Sequence, residues 1–258
     1  MTLDFYKYQG TGNDFIMVDD RLEEFPKSNT DLVAFLCSRK FGIGADGLIL
    51  LQKDPESDFK MVYFNADGKE GSMCGNGGRC IVAFAHNLGL VGNEVRFNAV
   101  DGLHYADISG ELVSLQMCDV DDIKVKPNSV FLNTGSPHHV QIVDNVDSFN
   151  VDKEGKKLRY GLYGETGSNI NFVKKEKIDA FTVRTYERGV EAETLSCGTG
   201  VTAVAIAMHY TGVTDSQTVN IKTHGGNLQV SFENNGGSYS SINLMGPAKM
   251  VFKGVITW

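Results

Sequence analysis

The sequence predicts an α/β fold, of the α+β kind. It should consist of two pseudo-symmetric halves from an internal duplication, each a mixed, strongly curved β-sheet around a central buried helix. Three observations carry this expectation. First, the chain repeats itself in three collinear blocks. Cys74-Gly75-Asn76-Gly77-Gly78-Arg79-Cys80-Ile81-Val82-Ala83 recurs in pattern 123 residues on, as Cys197-Gly198-Thr199-Gly200-Val201-Thr202-Ala203-Val204-Ala205-Ile206. Val95-Arg96-Phe97 leading to Asp101-Gly102-Leu103 recurs as Val219-Asn220-Ile221 leading to Gly225-Gly226 and Leu228, and Gly12–Asp19 resembles Pro137–Asp144 at an offset of 125. Second, Asn76–Leu88 and Thr199–Tyr210 are apolar nearly all round and too long for ordinary strands, which marks each as a buried helix. Third, short runs rich in β-branched and aromatic residues lie between Gly, Asn and Asp breakers, as strands do.

Taken in order, Asp14–Asp19 reads as a strand, and Thr30–Arg39 as an amphipathic helix. Leu32, Phe35 and Leu36 share one face of it, and Asn29 or Thr30 caps it. Gly47–Gln52, Phe59–Phe64, Glu94–Asn98 and Leu103–Ile108 complete the strands of the first half. In the second half His139–Val143, Asn169–Lys174, Phe181–Tyr186, Thr218–Thr223, Leu228–Phe232 and Ser241–Leu244 read as strands. The acidic, turn-forming stretch from Cys118 to Asn128 separates the halves. Residues 1–120 with the strand-like tail 248–258 are assigned to the first half, which carries Cys74. Residues 121–247 form the second, which carries Cys197.

Composition narrows the function. A chain of 258 residues with a net charge of −8 lacks the basic footprint that binding phosphates or anionic lipid requires, so no nucleic-acid or membrane partner is expected. The stretch Met1-Thr2-Leu3-Asp4-Phe5 has neither a basic segment nor an apolar core, so no signal peptide is expected. Five cysteines are an odd number and too sparse for a disulfide framework, which points to the reducing cytoplasm. There is no Cys-x-x-Cys, no His-Glu-x-x-His, no phosphate-binding Gly-x4-Gly-Lys-[Ser/Thr] and no Gly-x-Ser-x-Gly. No metal site, nucleotide site or esterase nucleophile is therefore read.

The chemistry concentrates at Cys74 and Cys197, which hold equivalent places in the repeat, each just before a glycine-rich helix start. A helix start offers unspent N–H groups and partial positive charge, which favour a thiolate and can hold a carboxylate. Gly75, Gly77, Gly198 and Gly200 let a ligand approach the backbone, and Asn76 and Thr199 add side-chain donors. One thiol from each half could flank a single carbon, and two acid/base groups on opposite faces are what a stereoinversion needs. Cys37, Cys80 and Cys118 read as packing. Two readings of another class stay open on the residues alone: a thiol redox protein cycling a Cys74–Cys197 disulfide, and a non-catalytic amino-acid-binding module.

Seven motifs together resemble the diaminopimelate epimerase family, over nearly the whole chain. They are Gly12-Asn13-Asp14-Phe15, Phe41-Gly42-Ile43-Gly44-Ala45-Asp46-Gly47, Phe64-Asn65-Ala66-Asp67-Gly68, Met73-Cys74-Gly75-Asn76-Gly77, Gly135-Ser136-Pro137-His138, Tyr186-Glu187-Arg188-Gly189 and Ser196-Cys197-Gly198-Thr199-Gly200. The resemblance implies cofactor-free interconversion of LL- and meso-diaminopimelate, a small-molecule substrate, by a homodimeric cytoplasmic enzyme of lysine and peptidoglycan synthesis. It implies Cys74 and Cys197 as acid/base thiols, with Gly75, Asn76, Gly198 and Thr199 binding the α-carboxylate of the reacting centre. It also implies that Asn13, Asn65, Asn169 and Arg188 grip the distal end. Glu187 borders the substrate, and His138 and Glu187 help hold one cysteine as thiolate, His138 as proton acceptor or ion-pair partner. Part of the family has Gln at the position of Gly47, and many members have Asn at that of Ser136. The nearest rival resemblance is to proline racemase and hydroxyproline epimerase, which have no need of a distal-end grip.

Overall fold

The computed structural model describes residues 2–258. The chain separates into two compact units, one of residues 1–115 with 246–258 and one of 116–245.

The first unit runs β1 (Thr2–Gly10), β2 (Asn13–Asp19), α1 (Thr30–Cys37), β3 (Gly47–Gln52), β4 (Phe59–Asn65), α2 (Gly75–Asn87), β5 (Glu94–Ala99), β6 (Gly102–Ser109) and β7 (Leu112–Gln116). The second runs β8 (Ile123–Lys126), β9 (Ser129–Asn133), β10 (Pro137–Ile142), α3 (Val151–Tyr163), β11 (Asn169–Lys177), β12 (Ala180–Glu187), β13 (Ala192–Thr194), α4 (Gly198–Tyr210), β14 (Thr218–Thr223), β15 (Gly226–Asn235) and β16 (Ser238–Pro247). The last strand, β17 (Lys249–Thr257), pairs antiparallel with β1 in the first unit.

Strand sense shows the duplication more fully than the motifs do. In the first unit the pairings β17/β1 and β1/β2 are antiparallel, β2/β3 parallel, β3/β4 antiparallel, β4/β5 parallel, and β5/β6 and β6/β7 antiparallel. The second unit repeats that order of senses through β8/β9, β9/β10, β10/β11, β11/β12, β12/β14, β14/β15 and β15/β16. Each parallel pair needs a crossover, and helices supply it: α1 and α3 in the first crossover of each unit, α2 and α4 in the second.

The two mixed sheets curve round their second helices. Helix α2 packs on β17, β1, β2, β3, β4 and β6, and α4 packs on β9, β10, β11, β12, β14 and β15. Enclosure explains their composition: Gly75 to Ala85 are all buried in α2, as are Gly198 and Gly200 to Met208 in α4. The opposite sheet faces carry α1 and α3. Ile16, Val18, Leu48 and Leu50 pack with Leu32, Val33 and Leu36 of α1, while Ile170, Phe172 and Tyr186 pack with Val151 of α3. A central strand covered on both sides is buried throughout, as β3 is.

Some elements depart from the sequence reading. Helix α1 ends at Cys37 rather than Arg39, because the following loop folds back and Gly44 and Ala45 donate to the carbonyls of Leu36 and Cys37. Strands β1, β7, β8, β9 and β13 and helix α3 lie outside the elements the sequence predicts. In β1 an inward lysine, Lys7, hides the alternation; it is buried, donates to the Gly44 carbonyl and pairs with Asp14 at 2.8 Å. In α3 the sequence Val-Asp-Lys-Glu-Gly-Lys-Lys-Leu-Arg-Tyr-Gly-Leu-Tyr is polar and twice interrupted by glycine. Gly155 is needed there because a Cβ would lie 2.4 Å from the Tyr186 side chain. The Asn150 cap and the acidic first turn were its legible signals.

Candidate active site

In the first unit, β4 ends at Asn65 and a turn through Gly68, whose φ of +84° suits glycine, leads into the loop that delivers Cys74. Cys74 is the N-cap of α2, with extended backbone at φ −114° and ψ 121°. Asn76, the second residue of α2, is buried, and its Nδ2 donates to Asn13 Oδ1. Asn13 Nδ2 in turn donates to Asp46 Oδ2 at 3.1 Å, and Asp46 is held by Arg39 at 2.7 Å. Arg39 also forks onto Asp14 at 2.7 and 2.9 Å. Burial alone would raise the Asp14 carboxyl, but hydrogen bonds from Arg39 and Lys7 outweigh it and bring its pKa down to about 2. The structure thus joins Asn13 to Asn76 on an anchored ionic cluster. Asn65 is exposed, and its amide makes no side-chain hydrogen bond among the described residues, although its backbone closes the turn with Lys69 and Gly68.

In the second unit Cys197 is the N-cap of α4, at φ −126° and ψ 112°. Its Sγ lies 3.4 Å from Thr199 Oγ1, which lies 2.9 Å from His138 Nε2. His138 stands on β10 beside Asn169 and two residues of register from Asn171 on the parallel β11. Asn171 Nδ2 donates to the His139 carbonyl at 2.9 Å and faces His138 Nδ1 at 3.1 Å. The carbonyl accepts only, so the amide is oriented with its nitrogen toward the ring, and Nδ1 accepts. The Asn171 contact thus favours the imidazole proton on Nε2, toward Thr199, whose own hydroxyl proton is then left for the sulfur; Asn169 Nδ2 also faces Nε2, at the longer distance of 3.5 Å. Gly200 makes this possible: a Cβ there would come within 2.5 Å of Asn171 Oδ1 and 3.3 Å of His138 Cε1.

Asn169 connects this cluster to a cation. Its Oδ1 accepts from the Arg188 N–H at 2.8 Å, and its Nδ2 donates to Ser136 Oγ at 3.0 Å. The Arg188 guanidinium donates to the Thr166 carbonyl at 2.9 Å and approaches Ser136 Oγ at 3.5 Å; it pairs with no carboxylate among the described residues. Glu187 ends β12, half-buried and opposite Ala192 in register.

Burial, with the Arg188 charge adding to it, pushes the His138 pKa down to about 3, which favours the proton-acceptor role over the ion-pair one. Asn171 and Arg79, which complete the two clusters, were not singled out from the sequence. The signal for Asn171 was an asparagine at an inward position of the apolar run Asn169-Ile170-Asn171-Phe172-Val173.

The four helices differ at their starts in a way that bears on chemistry. Asn29 caps α1 by accepting from Leu32 N, and Asn150 caps α3 by accepting from Lys153 N. Neither Cys74 nor Cys197 makes a side-chain cap hydrogen bond. The intrahelical ladder begins with Gly78 N to the Cys74 carbonyl at 2.7 Å and Val201 N to the Cys197 carbonyl at 2.9 Å. Neither cysteine side chain covers the first-turn N–H groups that precede the ladder, an arrangement suited to an anion. Cys37 and Cys80 are different: burial pushes each thiol up to about 12. No group of three or more His, Cys, Asp and Glu among the described residues could hold a metal ion, and no helix there is long and apolar enough to cross a membrane.

The duplicated α/β fold is shared with a phenazine biosynthesis protein of the PhzF family from Bacillus anthracis. That crystal structure superposes with a TM-score of 0.81 at 14% identity, over 100% of both chains. Within this fold the chain belongs to the diaminopimelate epimerase family, a family of isomerases, whose model matches residues 5–120 and 130–251. It is 58% identical over 253 residues to the diaminopimelate epimerase of Flavobacterium psychrophilum, covering 97% of this chain and 99% of that one. It is 41% identical to the diaminopimelate epimerase of Aquifex aeolicus, covering 98% and 97%.

Proposed function

We propose that this enzyme interconverts LL- and meso-2,6-diaminopimelate without a cofactor, using Cys74 and Cys197 as the two bases. The observation that carries the reading is the matched pair of helix starts: each has a cysteine at the N-cap, extended backbone and no capping side chain. The α-carboxylate takes up first-turn N–H groups from Gly75, Asn76, Gly198 and Thr199, which also withdraw charge from the reacting carbon. One thiolate removes the α-proton and becomes a thiol. The opposite thiol gives its proton to the other face of the carbanion and becomes the thiolate. No net proton is gained, and the return reaction exchanges the roles.

An amino-acid α-proton is weakly acidic, so positioned dipoles and exclusion of water must lower the barrier. The His138–Thr199 hydrogen bond supports that at Cys197, where the Thr199 hydroxyl can donate to the developing thiolate. Glu187 helps hold one cysteine as thiolate and borders the substrate. Arg188, whose guanidinium bonds the Thr166 carbonyl and no carboxylate among the described residues, pairs with the distal carboxylate beside Asn169, while Asn13 and Asn65 complete the distal grip. A distal carboxylate site favours diaminopimelate over proline. The same reading takes the enzyme as a cytoplasmic homodimer, where thiols stay reduced, serving lysine and peptidoglycan synthesis.

The test is deuterium incorporation at the α-carbon in deuterated water under reducing conditions, with LL-diaminopimelate, meso-diaminopimelate and proline. Wild type should exchange and interconvert the first two, and Cys74→Ala and Cys197→Ala should each lose it by at least about a thousandfold, as loss of an acid/base group does. Exchange into proline alone, or survival of interconversion in either variant, overturns the proposal.

A further inference from the structure

We infer that Arg79 is a positioning residue for Cys74: its buried charge biases that thiol toward the thiolate, and its fork sets the direction of the Asn76 and Asn13 amides. The inference rests on the acid/base role proposed above for Cys74.

Arg79 lies on α2 with no exposed surface, and no carboxylate pairs with it among the described residues. Its Nη2 donates to Thr11 Oγ1 and Asn76 Oδ1, both at 3.0 Å, and its Nη1 to the Gly75 carbonyl at 3.4 Å. Its Nε has no partner. A buried cation with only neutral acceptors and an unspent donor is costly to keep, and such a breach of ordinary packing marks a site where the charge acts on something. Side chains on a helix lean toward its N-terminus, which carries this guanidinium back over the first turn, toward Cys74. Gly10 seals it from above: a Cβ there would sit 3.6 Å from Nη2 and 3.1 Å from Cys80 Sγ, so β1 passes over as bare backbone.

The ionisable groups that act on this charge are the thiols of Cys80 and Cys74. Cys80 is fully buried and its thiol stands near 12, so it remains protonated. That leaves Cys74 as the anion that the guanidinium can serve.

The hydrogen-bond chain gives a second, independent argument. A guanidinium only donates and a carboxylate only accepts. With Arg79 at one end and Asp46 at the other, the amides between them have a single consistent orientation: Asn76 Oδ1 toward Arg79, Asn76 Nδ2 toward Asn13 Oδ1, Asn13 Nδ2 toward Asp46. The duplication supplies the contrast. Thr202 occupies the place of Arg79 in the repeat and donates to the Gly198 carbonyl at 3.0 Å, and the ring near Cys197 is a neutral imidazole. The helix that carries Cys197 thus has no cation at the place where the helix of Cys74 has Arg79, and on that contrast Cys74 takes the lower midpoint of the two.

The experiment follows alkylation of each cysteine by iodoacetamide against pH, read peptide by peptide by mass spectrometry, in intact wild type, Arg79→Gln and Arg79→Lys. In wild type Cys74 should titrate below Cys197. Arg79→Gln should raise the Cys74 midpoint by about one unit or more, a tenfold slower reaction below it, with Cys197 unmoved. Arg79→Lys should return most of that shift. An unmoved Cys74 midpoint in Arg79→Gln, or an equal shift in Arg79→Lys, overturns the inference. Labelling of buried Cys37 and Cys80 reports unfolding. Should Arg79→Gln unfold, the wild-type order decides, and Cys74 titrating at or above Cys197 overturns the inference. Cys74→Ala keeping α-proton exchange would instead sink the catalytic reading itself, whatever the titrations show.

Discussion

His138 is neutral in the folded protein down to about pH 3, while an unfolded chain protonates it near 6.5. Between those values the unfolded state binds the extra proton, so the stability tied to this ring is complete above about pH 6.5 and erodes as pH falls toward 3. Urea midpoints measured from pH 7 to 4 should therefore fall more steeply for wild type than for His138→Gln, the curves converging on the acid side. Parallel curves would mean that the ring takes up its proton when folded. The rate profile should also lack an inflection from this residue near 6.5. The two cysteines were legible from sequence because each sits in a glycine context that the chain repeats. Their supports were less so. Asn171 and Arg79 act through atoms whose direction depends on partners distant in sequence, the His139 carbonyl and the Asn13–Asp46 pair. A lone inward Asn or Arg within an apolar run reads as an exception until its partners are known.

Glycine has opposite meanings in different helices, and substitution separates them. In α4, Gly200→Ala would gain about 1 kcal/mol of helix propensity. It would also drive a methyl to within 2.5 Å of Asn171 Oδ1, an amide already committed to the His139 carbonyl and Thr185. Overpacking of that kind costs about 1–3 kcal/mol and moves Asn171 off the imidazole, so activity should drop by more than about tenfold with a lower Tm. In α3, Gly161 is exposed with nothing within 4 Å of a Cβ, so Gly161→Ala should stabilise by about 0.5–1 kcal/mol and leave activity unchanged. Thermal melts and rates for the two variants check both signs; a stabilised, active Gly200→Ala would refute the packing argument. The same contrast explains which elements could be read in advance. Helices α2 and α4 are enclosed by their sheets and so are apolar all round, a pattern that no exposed strand imitates. Helix α3 covers one sheet face with few apolar residues, and its capping at Asn150 spoke more clearly than its periodicity. Strand β1 was masked by Lys7, whose inward charge is matched by Asp14 rather than by solvent.

At the scale of the whole chain, the duplicated eight-strand order explains an otherwise odd connection. In the second unit the first two strands form a hairpin: β8 and β9 pair from Ile123↔Leu132 to Lys126↔Ser129 across Pro127-Asn128. In the first unit the corresponding partner of β1 is β17, from the far end of the chain, in register from Thr2↔Thr257 to Gln9↔Lys249. Phe5 packs edge-on against Phe252 across this pair at 6.0 Å, and a Cβ at Gly254 would strike the Phe5 ring at 2.9 Å, so the two strands are fitted to each other. The neighbouring ends of Thr257 and Thr2 lend themselves to closure by a two-residue Asn-Gly turn in place of Trp258 and Met1. A circular permutant so joined, and opened between Pro247 and Ala248, would give the first unit the hairpin that the second already has. It should melt within about 4 °C of wild type, about 1 kcal/mol for a chain this size, and retain epimerase activity. A chain simply cut after Pro247 leaves one whole edge of β1 without its ladder and Phe5 without its cover. Hydrogen exchange should then quicken along β1 and β2 while β10–β12 keep their protection. If the permutant fails to fold although the cut chain stays protected, β17 contributes no pairing that the first unit needs, and the equivalence of β17 with β8 is only one of strand order.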